Sequence, residues 1–282
     1  MAATRSQAER GAAFRALHER PGAFIIPNPY DAGTARLLAH LGFEALASTS
    51  AGFAATLGRL DNTLTRDQVI EHVRTIAAAT DLPVNGDLED GFGPTPEDAA
   101  ETIRLGAAAG LVGGSIEDST RGGAPSPVYE LAHAADRVRA AVEAARAQPF
   151  PFLLTARAEN FIVGRLDLAD TIRRLQAYQE AGADVLYAPG LARSEDIAAV
   201  IAAVDRPINV LIGMPGMKLD LRALSELGVK RVSVGSGLAA AALGGFLRAA
   251  REMREHGTFG FVRDGARPRD LAGAFRARKS AG

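Results

Sequence analysis

Residues 82–93 read LPVNGDLEDGFG, a short apolar run that ends in three carboxylates and a Gly-Phe-Gly turn. The apolar run is typical of a buried parallel strand, and a helical pattern follows it from about Thr95. The same succession of apolar strand, polar strand end and helix recurs along the chain. This stretch therefore indicates the unit from which the fold is built.

Eight such units follow a leading helix over about Ser6 to Glu19. The predicted strands are AFIIPN, EALAST, LPVNGD, LVGGSIE, FPFLLTAR, ADVLYAP, PINVLI and KRVSVGS, and the predicted helices begin near Asp31, Arg66, Thr95, Val128, Asp167, Ser194, Asp220 and Leu238. Eight units in about 260 residues are typical of a (β/α)8 TIM barrel, whereas a doubly wound sheet usually has fewer units and a switch point. We expect one barrel domain over residues 1–282, with an N-terminal helix and a C-terminal extension.

The composition narrows the class of protein. The chain has 282 residues, 47% of them hydrophobic, and its 32 basic side chains nearly balance its 33 acidic ones. The balance argues against a nucleic-acid partner. The absence of cysteine excludes disulfides, thiolate metal sites and a cysteine nucleophile. Neither a signal peptide nor an apolar run of about 18 residues occurs, so we expect a cytoplasmic protein with no membrane partner.

Polar residues that end the predicted strands are the best indication of the active site, since barrel enzymes place it at the carboxyl ends of the strands. They are Asn28, Ser48, Thr49, Ser50, Asp87, Glu89, Glu117, Asp118, Arg157, Glu159 and Asn209. Carboxylates that face one another in a cleft repel, and either protonation or a hard divalent cation would neutralise them. Because the set contains no His or Cys, it favours Mg²⁺ over Zn²⁺.

Some of these residues also have a simpler structural interpretation. Asp90 and Asp118 could be helix-capping or loop residues, and Arg157 could be only an ion-pair partner of Glu159. The segment GSGL at 235–238 could cradle a phosphate at a helix N-terminus. A tight turn between strand and helix needs the same glycines and is the favoured interpretation.

The segments LPVNGDLEDGFG, GGSIED and TARAENFIVGRLDLADTIRRLQAYQEAGADVLY together resemble the isocitrate lyase and phosphoenolpyruvate mutase superfamily. The likeness runs from about Phe24 to Gly257, and ARAENFIVG is especially similar to the mutase branch. The resemblance implies a (β/α)8 barrel whose last helix is exchanged between the subunits of a homodimer or homotetramer. It also implies Mg²⁺ as cofactor and a small 2-oxo or 2-hydroxy carboxylate as substrate.

The resemblance also assigns roles to individual residues. It makes Asp87 the direct metal ligand, with Glu89 and Glu117 holding metal-bound waters. Arg157 matches the arginine that binds the substrate carboxylate, and Asp61 matches a carboxylate near metal and substrate. Thus Arg157, Asp61 and Glu117 are the expected catalytic residues. The remaining expected substrate-binding residues are Thr49, Ser50 and Ala51, through backbone amides, and Asn209.

The chain departs from the known branches in the loop STRGGAPSP at 119–127. The lyases carry a Lys-Lys/Arg-Cys-Gly loop there and the phosphonate enzymes carry Lys and Asn, whereas this loop has Arg121 as its only cation. Pro189 stands where the mutase branch has His and the lyases have Glu. The first hypothesis is a Mg²⁺-dependent lyase that cleaves or decarboxylates a 2-oxo or 2-hydroxy acid through a metal-stabilised enolate. The alternatives are a phosphonopyruvate hydrolase or mutase, and a non-catalytic 2-oxo acid binding protein.

Overall fold

A computed structural model describes residues 5–120 and 126–276, and within these residues eight parallel strands form a single sheet. The strands are β1 Phe24–Ile26, β2 Leu46–Ala47, β3 Val84–Asp87, β4 Gly113–Glu117, β5 Leu153–Arg157, β6 Val185–Tyr187, β7 Ile208–Leu211 and β8 Arg231–Ser233. Their order is β1-β8-β7-β6-β5-β4-β3-β2, so each strand lies beside its neighbour in the chain and β1 lies beside β8. This is the (β/α)8 barrel that the sequence predicts.

The barrel closes between β1 and β2 through polar contacts at its carboxyl end. The Ala47 N–H donates to the Pro27 carbonyl at 3.1 Å. Asn28 follows β1, and its Nδ2 donates to the Ser48 carbonyl at 3.0 Å. Its Oδ1 accepts from the N–H groups of Val234 and Gly235, just after β8. One buried asparagine therefore ties three strand ends together.

The described chain also contains eleven α-helices and one 3₁₀ helix. The helices are α1 Gln7–Glu19, α2 Ala32–His40, α3 Ser50–Thr56, α4 Arg66–Ala79, α5 Pro96–Ala108, α6 Leu131–Arg146, α7 Leu168–Glu180, α8 Ser194–Ala203, α9 Leu221–Glu226, α10 Gly237–His256 and α11 Pro268–Phe275, with the 3₁₀ helix at Gly260–Asp264. None of the described helices is long and apolar enough to cross a membrane.

Side-chain capping explains why the predicted helix starts agree closely with the observed ones. Asp31, Thr95, Asp167 and Asp220 each stand one residue before a helix, and each accepts a hydrogen bond from a backbone N–H of the first turn. Caps of this kind satisfy amides that have no partner inside the helix. The polar residue that precedes each apolar helical pattern was therefore the correct starting point.

Two elements differ from the sequence prediction. The short helix α3, directly after β2, was not predicted, because its seven residues are too few to show a helical period. The helix predicted from about Val128 begins instead at Leu131. Val128 forms an antiparallel bridge with Ser119, which keeps this segment extended beside the loop that follows β4.

The bottom of the barrel is closed by α1. Phe14 and Leu17 of this helix pack with Phe24, Val112 and Leu153 in a buried apolar cluster. The amino ends of the strands are thereby sealed, and the carboxyl ends remain open to a cavity.

Candidate active site

A cavity of about 280 Å³ opens at the carboxyl ends of the strands. Asp87, Glu117 and Arg157 are the last residues of β3, β4 and β5, and all three face it. Eight of the nine predicted site residues line this cavity: Thr49, Ser50, Ala51, Asp61, Asp87, Glu117, Arg157 and Asn209. The structure thus brings together residues that are far apart in the sequence, as expected for a barrel mouth.

Arg157 lies at the centre of the carboxylates. Its Nη1 is 2.9 Å from Asp87 Oδ1, its Nη2 is 3.1 Å from Glu117 Oε2, and its Nε is 2.9 Å from Glu159 Oε1. Each guanidinium nitrogen is therefore taken by a carboxylate. The sequence argument considered only protonation or a metal ion as a means of neutralising these acids, and that argument was incomplete. The alternative in which Arg157 pairs with Glu159 describes one of three ion pairs.

Asp87 is held from both sides by the segment that follows β2. Its Oδ2 accepts a hydrogen bond from the Ser50 N–H at 2.9 Å, and its own N–H donates to Ser48 Oγ at 2.8 Å. Thr49 caps α3, because its side chain accepts from the Gly52 N–H. The Ser50 amide, which was expected to bind substrate, here orients the carboxylate that is expected to bind metal.

Burial shifts the pKa values of these groups. Burial raises the pKa of the Glu117 carboxyl above its usual range, although Arg157 opposes the shift. Burial likewise raises the pKa of Glu159 to about 8. Burial alone would lower the pKa of Arg157, but Glu117, Glu159 and Asp87 together raise it well above its usual value. Arg157 is therefore permanently charged.

The donor chemistry of this cavity fits Mg²⁺ only in a partly hydrated form. The acidic groups offer oxygen ligands, which suit a hard cation. However, no three acidic or histidine side chains among the described residues are arranged as a ready-made metal cage. Mg²⁺ commonly binds proteins through one or two carboxylates and keeps several waters, so one direct ligand, Asp87, with water-mediated contacts elsewhere is compatible with these residues.

Glu89 is the predicted site residue that does not line the cavity. We expected strand alternation to place it on the same side as Asp87, and that reasoning was wrong, because β3 ends at Asp87. Glu89 is buried two residues further on with a positive φ of 49°, and its carbonyl accepts from the Glu117 N–H at 3.0 Å. This backbone contact joins the ends of β3 and β4, and its role as a metal-water ligand stays a prediction.

The two acids with simpler interpretations have different positions. Asp90 is a loop residue whose Oδ1 accepts from the Phe92 N–H at 3.0 Å. Asp118 is buried and caps no helix. It accepts from the Glu159 N–H at 2.8 Å and from Arg174 at 2.9 Å, and therefore supports the segment after β5 from behind.

The loop after β4 is only partly described. Arg121, with the rest of 121–125, lies outside the described residues. At the edge of the loop, Ser119 Oγ donates to Glu117 Oε1 at 2.7 Å. Pro189, at the position where relatives of the resembling family carry His or Glu, lines the cavity.

Two residues of the cavity were missed in the sequence. The ring of Tyr187 lies under Arg157, with the guanidinium carbon 5.1 Å from the ring centroid, and burial raises the pKa of its hydroxyl to about 12. Arg231 lies buried on β8 and also lines the cavity. Both were hidden inside otherwise apolar runs. The available signal was period-two alternation with Ser233 and Asn209, which marks the inward-facing positions.

A parallel barrel with acids and an arginine at adjacent strand ends defines a class of enzyme that handles small anions, and comparison with known proteins identifies the family. The family model described as phosphoenolpyruvate phosphomutase matches residues 14–254. The chain therefore belongs to this family, within the phosphoenolpyruvate mutase and isocitrate lyase superfamily that the sequence resembles.

Individual relatives give a consistent comparison. An oxaloacetate decarboxylase of Bradyrhizobium diazoefficiens (strain USDA 110) is 31% identical over 277 residues, which cover 96% of this chain and 90% of that protein. A crystal structure from Burkholderia cenocepacia J2315, provisionally named a lyase/mutase, is 59% identical with a TM-score of 0.93, covering 96% of this chain and 97% of the other. An oxaloacetate acetylhydrolase in complex with 3,3-difluorooxalacetate is 25% identical with a TM-score of 0.84, covering 95% and 93%.

Proposed function

We propose that this protein is a Mg²⁺-dependent lyase that cleaves a carbon–carbon bond of a small 2-oxo or 2-hydroxy carboxylic acid. Decarboxylation of oxaloacetate is the first reaction to test, because the relative that matches nearly the whole chain is an oxaloacetate decarboxylase. The observation that carries the proposal is the convergence of Asp87, Glu117 and Arg157 at adjacent strand ends on one cavity.

The residues of the cavity suit a small anionic substrate. Arg157 and the other hydrogen-bond donors would hold a carboxylate in a fixed orientation, so that the bond to be broken aligns with the π system of the keto group. The cavity is small, which favours acids of few carbon atoms. Ser48 and Ser50 keep the Asp87 carboxylate in place without help from the substrate.

Asp87 is the proposed direct ligand of Mg²⁺, with Glu89 and Glu117 expected to hold metal-bound waters. When bound, the metal would supply Lewis-acid stabilisation of the charge that develops on the keto oxygen during cleavage. Decarboxylation asks little else of the protein, and this agrees with a chain that lacks the cysteine of the lyase loop.

The experiment is a substrate panel with purified protein and MgCl₂. Oxaloacetate, phosphonopyruvate, 2-methylisocitrate and 2,3-dimethylmalate are each incubated with the protein and followed by ¹H and ³¹P NMR. Because Mg²⁺ alone slowly decarboxylates oxaloacetate, every rate is corrected for a protein-free sample. Pyruvate formed above this background supports the proposal, as does carbon–carbon cleavage of either hydroxy acid.

Other products would support the alternatives. Phosphate or phosphoenolpyruvate formed from phosphonopyruvate would indicate a phosphorus–carbon bond enzyme. If no acid is consumed, but a 2-oxo acid with Mg²⁺ raises the melting temperature, the protein is a binding protein and the lyase proposal fails.

We also propose a homodimer or homotetramer in the cytoplasm. The support is the surface of α10, where Leu243, Phe246, Leu247 and Met253 are exposed. Large exposed apolar patches usually mark contacts with another chain. Exchange of this helix between subunits, which the resemblance implies, stays a prediction.

A further inference from the structure

Arg231 is an arginine in the interior of the barrel, at the start of β8. Only 3% of its surface is exposed. Its Nε donates to Asn209 Oδ1 at 2.9 Å and its Nη2 donates to Thr155 Oγ1 at 3.0 Å. Its Nη1 is buried and has no hydrogen-bond partner among the described residues. One end of this guanidinium is thus available to a group that the protein itself does not provide.

The charge of Arg231 is not balanced by the part of the chain that the structure describes. None of those residues contributes a carboxylate that pairs with it, and both of its hydrogen bonds go to neutral side chains. Burial lowers its pKa to about 10, so it is positive at neutral pH. The other nearby titratable groups do not compensate it, because Tyr187 is neutral and burial holds the pKa of His18 down to about 3.

The contrast with Arg157 is informative. Each nitrogen of Arg157 is taken by a carboxylate of the protein, so this residue must exchange a partner before it can bind an incoming anion. Arg231 has no such partner to displace. A buried charge without a counter-ion is costly, and it is tolerated most easily where a ligand completes the pairing.

We propose that Arg231 forms an anion subsite at the floor of the cavity and binds a carboxylate group of the small acid through Nη1. Asn209 supports the subsite, because its Oδ1 is held by Arg231 and its Nδ2 is thereby directed to Ser233 Oγ at 3.0 Å. The identity of the ligand as a small carboxylic acid rests on the proposed function, whereas the binding of a carboxylate does not require turnover.

The test measures binding of oxalate, a small dicarboxylate, by isothermal titration calorimetry in MgCl₂ and again in EDTA. Arg231→Met removes the charge and should weaken oxalate binding about 10- to 100-fold, as expected for the loss of a charge-assisted hydrogen bond. Arg231→Lys keeps the charge and should lose less. Arg10→Met, which removes a half-buried arginine of α1 outside the cavity, should leave the dissociation constant within about twofold.

The melting temperature separates a binding role from a merely structural one. Replacing an unpaired buried charge by an apolar side chain is often neutral or stabilising. We therefore expect Arg231→Met to be at least as stable as the unaltered protein while it binds oxalate more weakly. A dissociation constant within twofold of the unaltered protein's overturns the proposal, and so does equal weakening by Arg10→Met.

A second measurement needs no variant and decides the matter if Arg231→Met does not fold. The unaltered protein is crystallised with oxalate and MgCl₂. A carboxylate oxygen within hydrogen-bonding distance of Arg231 Nη1 supports the subsite, and oxalate bound elsewhere in the cavity overturns it. Failure of the substrate panel would leave both outcomes readable, because neither measurement depends on turnover.

Discussion

At the scale of single residues, Arg157 determines the electrostatics of the cavity. It neutralises in part three buried carboxylates that would otherwise repel one another. A metal ion that binds Asp87 must compete with the guanidinium for the same carboxylate. Metal affinity and the stability of the barrel mouth are therefore coupled through this one side chain.

Replacing Arg157 by methionine should reveal this coupling. In EDTA the variant should lose about 3–5 kcal/mol of unfolding free energy, because three buried carboxylates are left without their cation. Mg²⁺ should then raise the melting temperature of the variant more than that of the unaltered protein. Urea unfolding and thermal melts with and without MgCl₂ provide the measurement.

The control for this experiment is Arg20→Met, which breaks an exposed ion pair with Glu44. It should cost less than about 1 kcal/mol and should not change the response to Mg²⁺. If Arg157→Met were no more destabilising than this control, the guanidinium would not be the group that balances the carboxylates.

At the scale of elements, capping residues and apolar strands made the fold predictable. Thr95 before α5 and Asp167 before α7 are capping residues with side-chain hydrogen bonds that the sequence already indicates. By contrast, α3 is too short to show a period, and Glu89 depends on a left-handed backbone position that alternation cannot predict. The ion pairs of Arg157 were also beyond the sequence, because they depend on the register of β3, β4 and β5.

The helix α1 closes the barrel with a buried histidine, and this gives the protein a predictable acid sensitivity. His18 packs between Phe14 and Phe24, and burial lowers its pKa to about 3. The unfolded chain binds a proton near the ordinary value of 6.5, whereas the folded chain does not. Stability is therefore complete above pH 6.5 and is lost as the pH falls toward 3.

We expect this histidine to remove about 1.4 kcal/mol of unfolding free energy per pH unit below 6.5. His72, whose pKa burial lowers to about 4, adds a similar loss. Urea unfolding at pH 7.5 and 5.5 measures the sum, and the double variant His18→Gln/His72→Gln should flatten the dependence. The interpretation fails if the double variant has the same pH dependence as the unaltered chain.

At the scale of the whole molecule, α10 is incompletely covered. Only Ala239 of its twenty residues is buried in the described chain. Phe246 is 69% exposed, and Phe259, beyond the helix, is 66% exposed. A helix with so much exposed apolar surface favours contact with another chain.

Light scattering after size-exclusion chromatography should therefore give a dimer or a tetramer. Phe246→Glu combined with Leu243→Glu should shift the protein toward a single chain, because burying two carboxylates in an apolar contact is unfavourable. Leu41→Glu changes an exposed leucine after α2 and serves as the control, which should leave the mass unchanged. A single-chain mass for the unaltered protein would contradict the proposed assembly.

The central claim is that Mg²⁺ held at Asp87 supports cleavage of a carbon–carbon bond. The most direct measurement is the initial rate of pyruvate formation from oxaloacetate at increasing MgCl₂, with the protein-free rate subtracted. The unaltered protein should require Mg²⁺ and should lose its activity in EDTA. Asp87→Ala should be slower by about 100-fold or more, whereas the surface variant Asp136→Ala should retain the full rate. Equal Mg²⁺-dependent rates for Asp87→Ala and the unaltered protein would contradict the account.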